Sequence, residues 1–307
     1  MSSFSSRPAY EWKLRTRSLA LGWRTLVMGI LNVTPDSFSD GGHFYDATAA
    51  PERAVERALA MLEEGAHMID IGGESTRPGA LPLTPSAEQE RVLPVIETLL
   101  RERPETLISI DSFHATTAQR AVEAGAEIVN DVSGGLWDAA MAATCAALRC
   151  GYVLMHARGT PTEWSSLPAL ETGAVMPMIV SDLEDRVRAA TAAGIESAAI
   201  VIDPGLGFGK RGDENYVVLA HLAELHRLHL PVLVGASRKG FLAKTLAEIP
   251  NLISVYQGAA PLVEARGSAS GAAHVAAILA GAHIIRVHDV QAAVEAAAIA
   301  DRVLTAE

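Results

Sequence analysis

The chain has 307 residues, enough for one large α/β barrel, a fold that commonly needs about 250 residues. Hydrophobic residues make up 49% and charged residues 20% of it, which indicates a compact globular protein rather than a disordered chain. The net charge of −11 argues against an extended surface for nucleic acids or anionic membranes, although a local basic cluster can still bind an anionic ligand.

The first 24 residues are predicted to form a tail and a short hairpin at the base of the barrel. They contain no continuous apolar stretch of the kind found in a signal peptide. No run in the sequence approaches the ~20 apolar residues of a membrane helix. Cys145 and Cys150 are spaced neither as a redox CxxC pair nor as a zinc site. We therefore expect reduced thiols in a cytoplasmic protein.

From residue 25 onward, short β-branched runs alternate with longer segments rich in Ala, Leu, Glu and Arg. Helices are predicted between the strands, for example at 51–65 and 116–126, and a last helix starts near Val290. Eight βα units indicate a closed (β/α)8 TIM barrel of class α/β over residues 25–307, in a single domain. An open doubly wound sheet is the alternative, and 250–268 is predicted as an irregular insert at the seventh helical connection. The predicted strands are 25–33, 67–73, 107–112, 127–133, 151–157, 198–205, 231–237 and 283–290.

Each predicted strand begins apolar and becomes polar at its carboxyl end. In a barrel these ends meet on one face, which is where the active sites of this fold lie. Polar residues that merely cap strands would explain one or two such ends, but not nearly all of them. The polar end residues are Asn32, Asp70, Asp111, Asn130, His156, Asp203, Ser237, Arg286 and His288.

Three of these ends predict a site for a flat heterocycle, because Asp111, Asn130 and Asp203 converge in the barrel mouth. A buried carboxylate is costly unless it meets donors, and one carboxylate can accept two parallel hydrogen bonds from amino and ring N–H groups. We expect a guanine-like or pterin edge, with a structural polar layer or a metal site as the alternative. The segment DPGLGFGK (203–210) is neither a Walker A loop nor a GxGxxG motif. Its glycines are expected to let the backbone pass close to the ligand, with Phe208 as a stacking surface.

Arg286 and His288 lie two residues apart on the last strand and therefore share a face. With Asn32 on the neighbouring first strand and Lys239 after the seventh, they predict a polyphosphate site. Surface salt bridges are the alternative. The two polar, glycine-containing loops at 32–42 and 72–79 are predicted to act as mobile lids.

The chain resembles the dihydropteroate synthase family in eight segments that occur in the same order: GILNVTPDSFSDGG, IDIGGESTRPGA, SIDSF, VNDVSGG, VLMH, IDPGLGFGK, GASRKGF and IIRVHDV. The resemblance covers about Thr25 to Val290. It implies a barrel, usually a homodimer, that condenses p-aminobenzoate with 6-hydroxymethyl-7,8-dihydropterin diphosphate. The products would be 7,8-dihydropteroate and pyrophosphate. It also implies Mg²⁺ as cofactor, an SN1-like path and competition by sulfonamides.

The resemblance also implies roles for individual residues. Asp111, Lys239, Asp40 and Phe38 are the predicted catalytic residues. The diphosphate would be bound by Asn32, Arg286 and His288, and the metal by Asn32 and Asp40. The pterin would be bound by Asp111, Asn130, Met155, Asp203, Phe208, Gly235 and Lys239. The p-aminobenzoate would be bound by Phe38, Thr76, Arg77, Pro78 and Ser237, together with Lys239.

Two segments depart from the family pattern. The fifth loop reads Ala157-Arg158, and Gly240 stands where Ser is common, so that it offers only a backbone amide to the carboxylate of p-aminobenzoate. The alternative function is a non-catalytic pterin-binding paralogue. A pterin-binding methyltransferase domain would share the Asp/Asn/Asp pocket but would not need the two lid loops or the Arg286 and His288 pair.

Overall fold

The computed structural model describes residues 7–34, 50–74, 83–164, 166–255 and 266–306. Its first element is an antiparallel hairpin of β1 (Tyr10–Lys13) and β2 (Ser18–Leu21). Trp12 is fully buried there, and its indole Nε1 donates a hydrogen bond to the carbonyl of Ala199 at 2.9 Å. Leu14 packs so closely on Gly151, where a barrel strand starts, that a Cβ at that glycine would lie 2.5 Å away. The hairpin therefore covers the amino-terminal end of the barrel.

The barrel strands are β3 (Leu26–Asn32), β4 (Met68–Gly72), β5 (Ile108–Asp111), β6 (Ile128–Asp131), β7 (Gly151–Met155), β8 (Ile200–Asp203), β9 (Leu233–Val234) and β10 (Ile284–Val287). They pair in parallel in the order β8-β7-β6-β5-β4-β3-β10-β9. A parallel bridge between Ile202 and Val232 joins the two ends of that order. The sheet is closed, so the predicted (β/α)8 barrel is confirmed and the open doubly wound sheet is wrong.

The helices are α1 (Ala50–Glu63), α2 (Pro85–Glu102), α3 (Ala115–Glu123), α4 (Met141–Leu148), α5 (Thr172–Ala192), α6 (Glu214–Ala220), α7 (Gly240–Ala247), α8 (Pro250–Val255), α9 (Gly267–Leu279) and α10 (Val290–Thr305), with 3₁₀ turns at Ser197–Ala199 and Leu222–Leu228. Two predicted helices end earlier than expected. Gly65 and Gly125 follow α1 and α3 with φ of +103° and +117°, a backbone that stops a helix and favours glycine. No helix within the described ranges is both long and apolar enough to cross a membrane.

The predicted irregular insert at 250–268 is partly wrong. Its first six residues form α8, because Pro250 occupies the first helical position, where its fixed φ suits the helix and its missing N–H costs nothing. Its last two residues already belong to α9. Residues 256–265 lie outside the described part of the chain.

Strand alternation divides the barrel into layers. Along β4, Ile69 and Ile71 belong to the large apolar cluster between strands and helices, whereas Met68 belongs to a second cluster inside the barrel. That inner cluster also contains Met28, Val153, Val201, Leu233 and Ile284, and it fills the amino-terminal half of the barrel. Two residues further along each strand, the inward positions lie at the barrel mouth, and most of them are polar.

Candidate active site

Five inward polar side chains, each from a different strand, form a layer at the carboxyl ends of the barrel strands. Register explains why they meet: Asp111 of β5 is paired with Asn130 of β6, and Asp203 of β8 is paired with Met155 of β7. The layer consists of Asp70, Asp111, Asn130, Asp203 and Arg286. The three residues predicted to read the heterocycle are therefore brought together with the predicted phosphate-binding arginine.

Arg286 is the centre of this layer. Its Nε donates to Asp70 Oδ2 at 2.5 Å, and its second terminal nitrogen forms an ion pair with Asp111 Oδ2. The same Asp70 oxygen accepts a hydrogen bond from Asn130 Nδ2 at 2.9 Å. Asp70 is fully buried, whereas the Arg286 side chain keeps 16% of its surface exposed. Buried Asp70 thus fixes the guanidinium from the interior of the barrel, and the exposed part of the Arg286 side chain faces the barrel mouth.

The charges in the layer respond to their surroundings. Burial raises the pKa of Asp111 to about 7, and Arg286 opposes that shift. Burial also raises the pKa of Asp203, whose Oδ1 accepts from the Gly205 amide at 2.7 Å. Burial lowers the pKa of Arg286, but Asp70 and Asp111 outweigh it and raise that pKa above its ordinary value. The site therefore holds one permanent cation beside carboxyl groups whose charge depends on the donors that approach them.

An apolar wall stands beside the polar layer. Met155 clusters with Val132 and Ala157, and Phe208 packs against them. Lys239 places its Nζ 4.0 Å from the centroid of the Phe208 ring, a cation–π geometry. Burial, and then Arg286, lower the pKa of Lys239 to about 8. A flat ring can lie on this wall while its edge meets the carboxylates.

The cationic side of the mouth is built by β9, β10 and β3. Ser237 Oγ lies 3.0 Å from His288 Nδ1 and accepts a hydrogen bond from the His288 amide at 3.2 Å. Asn32 ends β3, which pairs with β10, the strand of Arg286. Gly235 lies next to the same strand, and a Cβ there would lie 3.8 Å from the Cβ of Arg286. The predicted diphosphate residues Asn32, Arg286 and His288 therefore lie at the ends of two adjacent strands, β3 and β10.

Two predicted loops lie mostly outside the described residues. This applies to Phe38, Asp40, Thr76, Arg77 and Pro78, whose predicted roles stay predictions. The two ends of the second loop are nevertheless tied together, because Glu74 Oε1 accepts a hydrogen bond from the Leu83 amide at 3.2 Å.

Asn32 is the only predicted metal ligand among the described residues. Within the described ranges, no group of three His, Cys, Asp or Glu side chains could hold a metal. Asp70 and Asp111, two carboxylates of the polar layer, pair with Arg286. Asn32 offers one oxygen ligand of the kind Mg²⁺ accepts. Mg²⁺ therefore stays a prediction whose second protein ligand, Asp40, lies outside the described residues.

Comparison with known proteins shows the family to which the chain belongs. A family model described as "Pterin binding enzyme" matches residues 28–288. A dihydropteroate synthase of Mycobacterium leprae is 43% identical over 270 residues, which cover 88% of this chain and 90% of that protein. The chain belongs to the dihydropteroate synthase family. The predicted family and the predicted enzyme class, a transferase, are thereby confirmed.

Solved members of the dihydropteroate synthase family share the whole fold. The Xanthomonas albilineans enzyme, solved with 4-aminobenzoic acid, is 39% identical, with a TM-score of 0.84 over 98% of this chain and 100% of that chain. The Yersinia pestis enzyme, solved as a sulfonamide drug complex, is 38% identical, with a TM-score of 0.84 over 96% and 100%.

The prediction that His156 faces the barrel mouth is wrong for this member of the dihydropteroate synthase family. His156 does not face the mouth: its Nε2 lies 3.1 Å from Asp182 Oδ2 on α5 and its Nδ1 lies 2.7 Å from Lys210 Nζ. Because Met155 points inward, its neighbour His156 must point outward. The same rule sends Asp131 outward, where it accepts from Tyr152 Oη at 2.8 Å.

Two residues of the site were not assigned from the sequence. Asp70 was recognised only as a polar strand end, although its position two residues after the inward Met68 predicts that it faces the interior. Val132 extends the apolar wall beside Met155. It follows β6 within the segment VNDVSGG, in which only Asn130 was assigned a role.

Proposed function

We propose that the chain condenses p-aminobenzoate with 6-hydroxymethyl-7,8-dihydropterin diphosphate, giving 7,8-dihydropteroate and pyrophosphate. The observation that carries this proposal is the shared layer of Asp111, Asn130 and Asp203 with Arg286. Those three residues present acceptors and an amide to the amino and N–H edge of a pterin. Arg286 lies at the same depth and faces the mouth, where a diphosphate on the attached methylene would lie.

The reaction breaks the bond between the methylene carbon and the diphosphate oxygen, and it forms a bond from the same carbon to the aniline nitrogen. The leaving group takes the bonding electrons, so cations beside it lower the barrier. Arg286 supplies that charge, and Mg²⁺ held by Asn32 and Asp40 would supply more. The electron-rich dihydropterin stabilises the cationic carbon, which supports an SN1-like path. The aniline then loses its proton to solvent.

The remaining predicted contacts complete the proposal. Asp111, Asn130, Asp203 and Lys239 bind the pterin ring against Met155, Phe208 and Gly235. Ser237 and Lys239 lie at the amino terminus of α7, which attracts the carboxylate of p-aminobenzoate by about 0.3–1 kcal/mol. Gly240 begins that helix and has no side chain, so it offers the carboxylate only its backbone amide. Phe38, Thr76, Arg77 and Pro78 would close the pocket around p-aminobenzoate, and sulfonamides would compete for it.

The decisive experiment measures pyrophosphate release by the purified chain with Mg²⁺ and both substrates. We expect release that requires p-aminobenzoate and that a sulfonamide suppresses competitively. A non-catalytic paralogue would bind the pterin without releasing pyrophosphate above background.

We further propose that the chain acts as a homodimer in the cytoplasm. The family resemblance supports the dimer, and the two described cysteines, both free and buried, are consistent with a reducing compartment. An apolar groove of about 800 Å³ between α6, α7 and α9, lined among others by Leu219, Leu246 and Ala276, is the surface we assign to the second copy. Light scattering should give twice the mass of one chain, and Ala276→Glu should shift the mass toward one chain.

A further inference from the structure

Lys210 is a buried lysine that the proposed chemistry does not use. It lies at the end of the segment 203–210, and only 5% of its surface is exposed. Its Nζ contacts four acceptors: His156 Nδ1 at 2.7 Å, Gly205 O at 2.9 Å, His156 O at 3.2 Å and Phe208 O at 3.3 Å. An ammonium group has three N–H donors and no acceptor, so this environment suits the charged form, although burial lowers the pKa of Lys210.

Asp203 is the charge that most favours the protonated form of Lys210, and His156 links the lysine to a second carboxylate, Asp182. Because His156 Nδ1 accepts from the lysine, the ring proton lies on Nε2, which donates to Asp182 Oδ2 at 3.1 Å. Burial, and then Lys210, lower the pKa of His156 to about 3, so the ring stays neutral. Asp182 keeps 44% of its side chain exposed, and hydrogen bonding to His156 lowers its pKa. A cation, a neutral imidazole and a carboxylate thus form one continuous chain from the loop to α5.

The glycine-rich loop at 203–210, which Lys210 holds, would not keep its shape by local backbone preference alone. Gly205, Gly207 and Gly209 have φ of +66°, +82° and +71°. Glycine adopts positive φ about as readily as negative φ, so the sequence alone does not fix this conformation. Lys210 Nζ draws the carbonyls of Gly205 and Phe208 toward one point. The Gly205 amide in turn donates to Asp203 Oδ1 at 2.7 Å. Lys210 is therefore two hydrogen bonds from the Asp203 carboxylate and one from the backbone of Phe208.

We propose that Lys210, supported by His156 and Asp182, is a positioning residue that sets the acceptor of Asp203 and the ring of Phe208 for the pterin. It acts through the loop and does not touch the ligand. The proposal rests on the proposed function, because it takes Asp203 and Phe208 as pterin contacts. It makes the pterin subsite, and not the p-aminobenzoate subsite, dependent on this buried lysine.

The test compares Lys210→Met, Lys210→Gln and Asp182→Asn with the matched control Lys13→Met, an exposed lysine paired with Glu196 on the barrel base. Affinity for a bare oxidised pterin is measured by titration calorimetry at a temperature at which each variant is folded, and the KM for p-aminobenzoate is measured by pyrophosphate release. We expect the pterin Kd to rise about tenfold or more in Lys210→Met and less in Lys210→Gln, which keeps two donors. Asp182→Asn, at a side chain that is 44% exposed, should raise it by a few-fold in the same direction. The KM for p-aminobenzoate should stay within about twofold of wild type, as in the Lys13→Met control.

An unchanged pterin Kd in folded Lys210→Met and Asp182→Asn would overturn the proposal. Equal losses for pterin and p-aminobenzoate would also overturn it, because they would show a general structural role. Failure of the proposed function has a different signature, namely a wild-type protein that releases no pyrophosphate. In that case the comparison of pterin affinities would still decide the role of Lys210.

Discussion

Asp70 Oδ2 accepts from Arg286 Nε and from Asn130 Nδ2 at the same time, at 2.5 Å and 2.9 Å. One buried oxygen therefore fixes both the cation assigned to the diphosphate and the amide assigned to the pterin. On the proposed assignment, binding of the ring and binding of its leaving group would be coupled through this atom. The arrangement explains why a fully buried carboxylate is retained in the floor of the site, where it would otherwise be costly.

Asp70→Asn should damage the pterin-diphosphate subsite selectively. The amide keeps the shape of the carboxylate, but its N–H groups would face the N–H donors of Arg286 and Asn130 and find no acceptor there. A buried donor without an acceptor costs about 1–3 kcal/mol. We expect kcat/KM for the pterin diphosphate to fall by about 10- to 100-fold, since about 1.4 kcal/mol is tenfold, with the KM for p-aminobenzoate nearly unchanged. Asp185→Asn, at an exposed pair with Arg188, is the control. Equal changes in both substrates would contradict the coupling.

Arg286→Ala should weaken binding of the diphosphate group more than binding of the pterin ring. Removal of the guanidinium leaves Asp70 and Asp111 without their cation, so both ring binding and stability suffer to some extent. Binding of the diphosphate form should fall by at least about tenfold more than binding of the bare pterin, because only the former loses a charge-assisted contact. Calorimetry with both ligands on the same protein sample cancels any folding defect. A similar loss for the two ligands would show that Arg286 does not bind the diphosphate.

Lys239 should give the reaction an alkaline limit. With its pKa lowered to about 8, the amine loses its charge above that pH, and kcat/KM for the anionic p-aminobenzoate should fall there. Stability should change in the opposite sense. Between about 8 and the ordinary lysine value of 10.5 the unfolded chain binds a proton that the folded one does not, so this group's contribution to stability rises with pH.

A comparison of wild type with Lys239→Met tests both signs. In the variant the alkaline fall near pH 8 should vanish from the kcat/KM profile, and urea unfolding should lose the matching rise in stability. The control Lys13→Met should keep both features. A Lys239→Met profile with the wild-type alkaline limb would assign that limb to another group.

Gly205→Ala tests how tightly the loop packs on the fifth barrel strand. Its φ is +66°, and a Cβ would lie 1.9 Å from the His156 carbonyl oxygen, so the backbone itself must move. We expect a loss of more than about 2 kcal/mol in the free energy of unfolding, together with weaker pterin binding. Gly271→Ala in α9, where no atom of the described residues lies within 4 Å of the added carbon, should instead be neutral or stabilising by up to about 1 kcal/mol. Urea titration of both variants measures the difference.

The fold was predictable because each βα unit repeats the same local signal, a β-branched run followed by a helical one. The polar layer was predictable for the same reason, since Asp111, Asn130 and Asp203 each end a strand. Strand parity would also have excluded His156, because it follows the inward Met155 directly. The pairing of Asp70 with Arg286 could not be predicted from the sequence. The two residues are 216 positions apart, and barrel closure decides which donor meets which oxygen. Lys210 was equally hidden, because a buried lysine and a solvated one look alike in a glycine-rich loop.

The edge-on packing of Trp164 against Phe208, with ring centroids 5.1 Å apart and planes at 82°, has a practical consequence. Of the other three tryptophans, Trp12 is fully buried at the opposite end of the barrel, Trp23 is 81% exposed, and Trp137 packs against the same apolar cluster as Phe208. A ring that stacks on Phe208 changes the surroundings of Trp164 directly. On the proposed pterin contact, Trp164 and Trp137 would act as optical reporters of pterin occupancy, and we expect intrinsic fluorescence to follow the filling of the site without a labelled ligand.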